Sequence, residues 1–80
     1  MPTAKVYVTL KKGVLDPQGL TVQNALEALG YDVQEVRMGK YLELTLADRP
    51  REELEADVAE MCEKLLSNPV IEDFRFNIEP

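Results

Sequence analysis

The apolar pattern of this 80-residue sequence predicts an α+β domain, an antiparallel sheet with two helices on one face. Three observations lead there. Several short stretches alternate apolar and polar residues with the period of a half-buried strand. Two longer stretches repeat apolar residues at helical spacing. The order is strand–helix–strand–strand–helix–strand, which with right-handed crossovers most simply builds a ferredoxin-like arrangement. There is no linker, low-complexity tract or sequence repeat, so residues 1–80 read as one domain.

The first strand spans Ala4 to Leu10, with Val6, Val8 and Leu10 on one side and Lys5, Tyr7 and Thr9 on the other. A loop, Lys11–Leu15, precedes the first helix. Asp16 is its expected N-cap, because a carboxylate can accept the orphan amide hydrogens of the first turn. Pro17 suits the next position, where it has no amide hydrogen to lose. Val22, Ala25, Leu26 and Leu29 form one stripe, and Gly30 is the expected left-handed stop. Val33–Met38 and Tyr41–Leu46 read as two strands with a bend at Gly39-Lys40. Asp48-Arg49-Pro50 opens a second helix whose stripe is Leu54, Val58, Met61, Cys62 and Leu65. Ser67-Asn68-Pro69 breaks it, and Phe74, Phe76 and Ile78 alternate in a last strand.

Composition narrows the function. A chain this short buries only roughly 60% of its unfolded surface, and its single cysteine, Cys62, allows no internal disulfide. A thin, unstapled core favours association with a partner. No apolar run approaches the ~18 residues of a membrane span, and the N-terminus has no signal-like apolar region, so a cytoplasmic protein is expected. The net charge of −6 is uneven: residues 1–51 hold seven Lys/Arg and six Asp/Glu, residues 52–80 two and nine. An acidic half of this kind repels phosphate backbones and anionic lipid, so neither nucleic acid nor membrane is an expected partner.

If the Leu and Phe positions face the helices, the open face of the sheet carries Lys5, Tyr7, Thr9, Arg37, Tyr41, Glu43, Thr45, Arg75 and Asn77. Tyrosines among threonines and paired charges suit a half-polar protein interface. Tyr7, Thr9, Tyr41, Glu43 and Thr45 are therefore the candidates for a homodimer face.

Chemistry-bearing patterns are scarce. The chain has no histidine, which removes Ser-His-Asp and Cys-His nucleophile systems. Cys62 lies on an apolar stripe among carboxylates, where its thiolate is disfavoured, so packing is its expected role. The acidic residues of the second helix form its solvated face, and no His/Cys spacing or convergent oxygen cluster marks a metal site. Gly39-Lys40-Tyr41 lacks the earlier glycine and the Ser/Thr of a phosphate loop. Gly39–Leu44 also lacks the aromatic run by which RNA-recognition domains of this element order stack bases.

The stretch Lys11-Lys12-Gly13-Val14-Leu15-Asp16-Pro17-Gln18-Gly19 is the most informative. Loop and cap account for Gly13, Asp16 and Pro17. They do not account for adjacent lysines, for apolar Val14 and Leu15, or for Gly19 in a first helical turn, where glycine costs roughly 1 kcal/mol against alanine. A loop mixing charge and apolar side chains is a candidate docking element, and the bend at Arg37, Gly39 and Lys40 is a second.

At this stretch the chain resembles a known family. Lys5-Val6-Tyr7-Val8, Leu10-Lys11 and Gly13-Val14-Leu15-Asp16-Pro17-Gln18-Gly19 are similar to the PurS family, small subunits of phosphoribosylformylglycinamidine synthase. Ala25-Leu26, Leu29-Gly30, Val36-Arg37-Met38-Gly39-Lys40 and Leu42-Glu43-Leu44 agree, so the likeness covers nearly the whole chain. The resemblance implies a non-catalytic accessory subunit of a glutamine-dependent ligase in purine biosynthesis. The complete enzyme converts formylglycinamide ribonucleotide, glutamine and ATP to formylglycinamidine ribonucleotide, glutamate, ADP and phosphate. It further implies dimers, in which strand exchange is open, that bridge a glutaminase and a large synthetase subunit and support ammonia transfer. ATP and magnesium would belong to the synthetase subunit, with no cofactor in this chain. Two other classes share such a fold. A free-standing regulatory domain would bind an amino acid at a dimer interface through a cluster of backbone amides. A small phosphatase would need an arginine-bearing loop after the first strand, where this chain has lysines.

Overall fold

The computed structural model describes all residues from Met1 to Pro80. The elements are β1 (Thr3–Leu10), α1 (Pro17–Ala28), β2 (Gly39–Thr45), α2 (Arg51–Met61) and β3 (Glu72–Glu79), with a wide π-helical turn, Cys62–Leu66, prolonging α2. The α+β class and the antiparallel sheet are as expected. The sheet has three strands in the order β2-β1-β3, with β1 antiparallel to both neighbours.

Alternation along the strands sorts their side chains. Ala4, Val6 and Val8 of β1 are buried beside Ile78 of β3, under Leu54, Val58 and Cys62 of the second helix. Leu42, Leu44, Leu46, Phe74 and Phe76 pack around them, half-buried. Val6, Val8 and Val58 are fully enclosed, each worth about 1.5–3 kcal/mol relative to exposure. Two further bonds lengthen the ladders: Lys11 N–H donates to Ile71 O (2.8 Å) and Leu46 N–H to Pro2 O (2.8 Å).

The ends of α1 follow the sequence. Asp16 accepts from Gly19 N–H at 2.8 Å, and Pro17 opens the helix. At its end Tyr31 N–H donates to Leu26 O (3.1 Å) and Gly30 N–H to Glu27 O (3.0 Å). That pair of bonds needs the positive φ of Gly30, +97°.

Three expectations need correction. Val33–Met38 bends at Gln34 and belongs to no ladder; the pairing of β2 begins only at Gly39, so Gly39-Lys40 starts a strand and is not a bend between two. No backbone amide from Asp32 to Arg37 donates a hydrogen bond within the chain. A period-two pattern makes a segment fit for a sheet without supplying a neighbour.

The second correction concerns the helices. Only the second packs on the sheet; α1 makes no substantial contact with any strand. Of its stripe Leu26 is half-buried, whereas Val22, Ala25 and Leu29 are exposed, Leu29 by 73%. Helix α1 and the segment after it form an arm. The radius of gyration is accordingly 16.0 Å, with extents of 49 × 25 × 14 Å, against about 12 Å for a compact chain of this length.

The third concerns α2. Leu54, Val58 and Cys62 are buried as expected, but Met61 is 38% and Leu65 83% exposed. For Leu65 the π turn is the cause. Ser67 N–H donates to Cys62 O, five residues back, at 2.9 Å, and the widened turn swings Leu65 off the stripe. Ser67 Oγ donates to the same carbonyl at 2.9 Å, so this buried end is satisfied.

Burial pushes the Cys62 thiol above its ordinary range, and the charge of Glu63 adds to the effect. A thiol so held is a small core side chain. Cys62→Ala should lower unfolding stability by ~1–2 kcal/mol, as a modest truncation in a core, measured by denaturant titration. A variant as stable as the parent would show that the site is not packed.

Candidate functional site

The expected docking residues fall into two places. The loop Lys11–Gly19 leaves the end of β1 through a turn at Gly13, whose φ of +87° favours glycine. Val14 N–H closes the turn on Lys11 O at 3.2 Å. Lys12 and Gln18 are exposed, Leu15 is 74% exposed, and Val14 is half-buried.

Against this loop lies the segment Val36–Met38. Asp16 uses both carboxylate oxygens: Oδ1 accepts from Gly19 N–H (2.8 Å) and Oδ2 from Met38 N–H at 2.7 Å. These bonds, that to Met38 first, hold its carboxyl below the usual carboxylate range, with a smaller contribution from the charge of Arg37. The stabilisation is complete above the carboxyl's unfolded value and is lost as pH falls through the lowered folded one. Arg37 donates from Nη2 to Leu10 O and to Lys11 O, the latter at 3.1 Å.

Gly19 is buried at the junction; a Cβ there would stand 2.3 Å from Val36 O. Close backbone approach therefore explains a glycine that helix propensity disfavours. Arg37 itself lies on this junction and not, as expected, on the open sheet face. Lys40 goes elsewhere: its Nζ donates to Leu66 O (3.2 Å) and sits 3.8 Å from Glu72. The structure thus joins the loop to Arg37, while the Lys40 side chain is engaged by Leu66 O and Glu72. The inter-segment role of Asp16 had no signal beyond its helix cap.

The open sheet face is the second surface. Tyr7 pairs in register with Tyr41 and with Arg75. The tyrosine rings are 5.1 Å apart, and the Arg75 guanidinium lies 4.5 Å from the centre of the Tyr7 ring. Lys5 binds Glu79 at 2.8 Å, a hydrogen bond that raises the Lys5 pKa, with the charge of Glu79 next. Tyr41 donates to Glu43 at 3.3 Å; desolvation on the crowded face and the Glu43 charge raise its hydroxyl above the usual value. Thr9 and Thr45 are exposed at the ends of the face.

None of these groups forms a nucleophile–base pair, and no group of three His, Cys, Asp or Glu side chains converges to hold a metal. No helix is long and apolar enough to cross a membrane.

Comparison with known proteins agrees with the chain's pattern throughout its length. Residues 3–80 match the family PurS, described as phosphoribosylformylglycinamidine (FGAM) synthase. The phosphoribosylformylglycinamidine synthase subunit PurS of Bacillus subtilis is 56% identical over 80 residues, covering 99% of this chain and 94% of that protein. Its Methanocaldococcus jannaschii counterpart is 44% identical, covering 99% and 96%. The solved B. subtilis PurS structure superposes with a TM-score of 0.90 over 100% of both chains. A chain of the PurLQS structure from Thermotoga maritima, 33% identical, does so at 0.84 over 99% of this chain and 100% of that one. The chain belongs to the PurS family of phosphoribosylformylglycinamidine synthase subunits.

Proposed function

We propose that the chain is a non-catalytic accessory subunit of phosphoribosylformylglycinamidine synthase, which bridges the glutaminase and large synthetase subunits and supports ammonia transfer between them. The observation that carries this reading is an arm that cannot be complete alone. Three of the four residues in the α1 stripe are exposed, and six consecutive amides from Asp32 to Arg37 have no acceptor within the chain. Exposed apolar side chains and a run of backbone amides without acceptors are satisfied most cheaply by another chain. ATP and magnesium belong, on this reading, to the synthetase subunit.

Self-association comes first. The free amides of the arm suit a reciprocal pairing with a second copy, including exchange of the segment between chains. The Tyr7–Tyr41 face, with cations and anions of its own, offers a second self-contact, so that a dimer can become a dimer of dimers. A free-standing amino-acid-binding domain is less well supported. Such a ligand needs convergent backbone amides, and the paired amides of Gly19 and Met38 are already occupied by Asp16.

Two measurements check this. Reconstituted with synthetase and glutaminase, omission of this subunit should depress glutamine-dependent turnover far more than turnover with free ammonia; equal losses would contradict a bridging role. Light scattering after size exclusion should find no monomer at micromolar concentration. Leu29→Glu, on the arm, should shift the population toward monomer, and Tyr41→Glu should weaken the sheet-face contact by placing an unpaired charge in it. A monomeric parent protein would overturn the self-association.

A further inference from the structure

We infer that Asp16, Gly19 and Arg37 form a clasp that joins the Lys11–Gly19 loop to Val36–Met38, and that the joined surface, not the loop alone, docks an acidic patch on the synthetase subunit. The inference rests on the bridging role proposed above and deepens it.

The joining is geometric. One carboxylate bridges amides 19 residues apart in the chain, at 2.8 and 2.7 Å. Arg37 ties the same segment to the two carbonyls at the end of β1. Gly19 lets the backbones meet, since any Cβ there would collide with Val36 O. No strand ladder links these segments, so the position of the arm relative to the sheet depends on these few contacts.

Charge indicates the occupant. Of the nine Lys and Arg residues, Lys5, Lys40, Arg49, Arg51 and Lys64 are paired with carboxylates, and Arg75 lies over Tyr7. The remaining three, Lys11, Lys12 and Arg37, all sit at the clasp. A chain of net charge −6 thus places three of its four cations that lack a carboxylate partner in one place, beside the exposed Leu15 and Met38. An acidic protein surface with a shallow apolar pocket is complementary to that arrangement. Three cations in so acidic a chain are too few for a nucleic-acid backbone.

The test separates clasp from docking. Asn is as good a helix cap as Asp, but it has one acceptor oxygen where Asp16 uses two. Asp16→Asn should therefore keep the helical circular dichroism while exposing Met38 N–H. Amide exchange at Met38 in the isolated protein should accelerate by roughly ten- to a hundredfold, the range for loss of one hydrogen bond to a charged group. Association with the synthetase subunit should slow in the same variant. Lys11→Glu with Lys12→Glu should slow association too, with a gap from the parent that narrows as salt is added, and leave Met38 exchange unchanged. Parental Met38 exchange in Asp16→Asn would overturn the clasp. Faster exchange with a parental association rate would overturn the claim that docking needs the joined surface. A parental association rate in the double lysine variant would overturn the acidic-patch docking, while dependence of glutamine turnover on this subunit tests the bridging role separately.

Discussion

Val6 and Val8 lie on the middle strand of the sheet, opposite Leu42 and Lys40 on one side and Phe76 and Phe74 on the other. Both ladders run through β1, and the covered side of β1 is where Leu54, Val58 and Cys62 land. This one double pairing sets the rest. It lays the tyrosine row on the opposite face, and it fixes where β2 begins. Because β2 joins the sheet only at Gly39, everything between the end of β1 and that residue must travel outside the core.

The consequence is a protein of two unequal parts. The body, three strands under one helix, has the enclosed apolar side chains. The arm has good local structure but little burial: a capped helix, a glycine stop, and a return segment held beside it by Gln23 Nε2 on Gln34 O at 3.3 Å and by the Asp16 carboxylate. Local capping can define a helix of 12 residues, but isolated helices of that length are marginal in water. Within the chain the arm is therefore held by Asp16, Arg37 and Gln23, and most of its apolar stripe stays exposed. That exposure gives the polypeptide a physical reason to be a subunit.

Much of this was legible in the sequence, for reasons that differ by element. Asp16, Pro17 and Gly30 act through local stereochemistry, so the ends of α1 could be read directly. The alternation of Val6 and Val8 with Tyr7 assigned the two sheet faces, and Cys62 was placed in the core by its spacing from Leu54 and Val58. The failures share a cause. Val33–Met38 has strand periodicity, and α1 has a helical stripe, but periodicity reports what a segment is able to bury and not what is there to bury it. Leu65 failed for a local reason, since nothing in Cys62–Leu66 announces a π turn. The loop Lys11–Gly19 was picked out by residues without a structural excuse. Gly19 then acquired one, through Val36 O, whereas Lys12 and Leu15 remain exposed. The periodicity of Val33–Met38 puts Arg37 on the sheet face; with no strand formed there, Arg37 lies at the clasp instead.

The central claim is that the arm is completed by another chain. Amide hydrogen exchange across Asp32–Arg37, measured on the isolated protein over a wide range of concentration, tests it most directly. Protection of these amides at high concentration, lost on dilution in step with dissociation, is the expected result. Exchange at the rate of an unstructured peptide at every concentration at which the protein is oligomeric would contradict it.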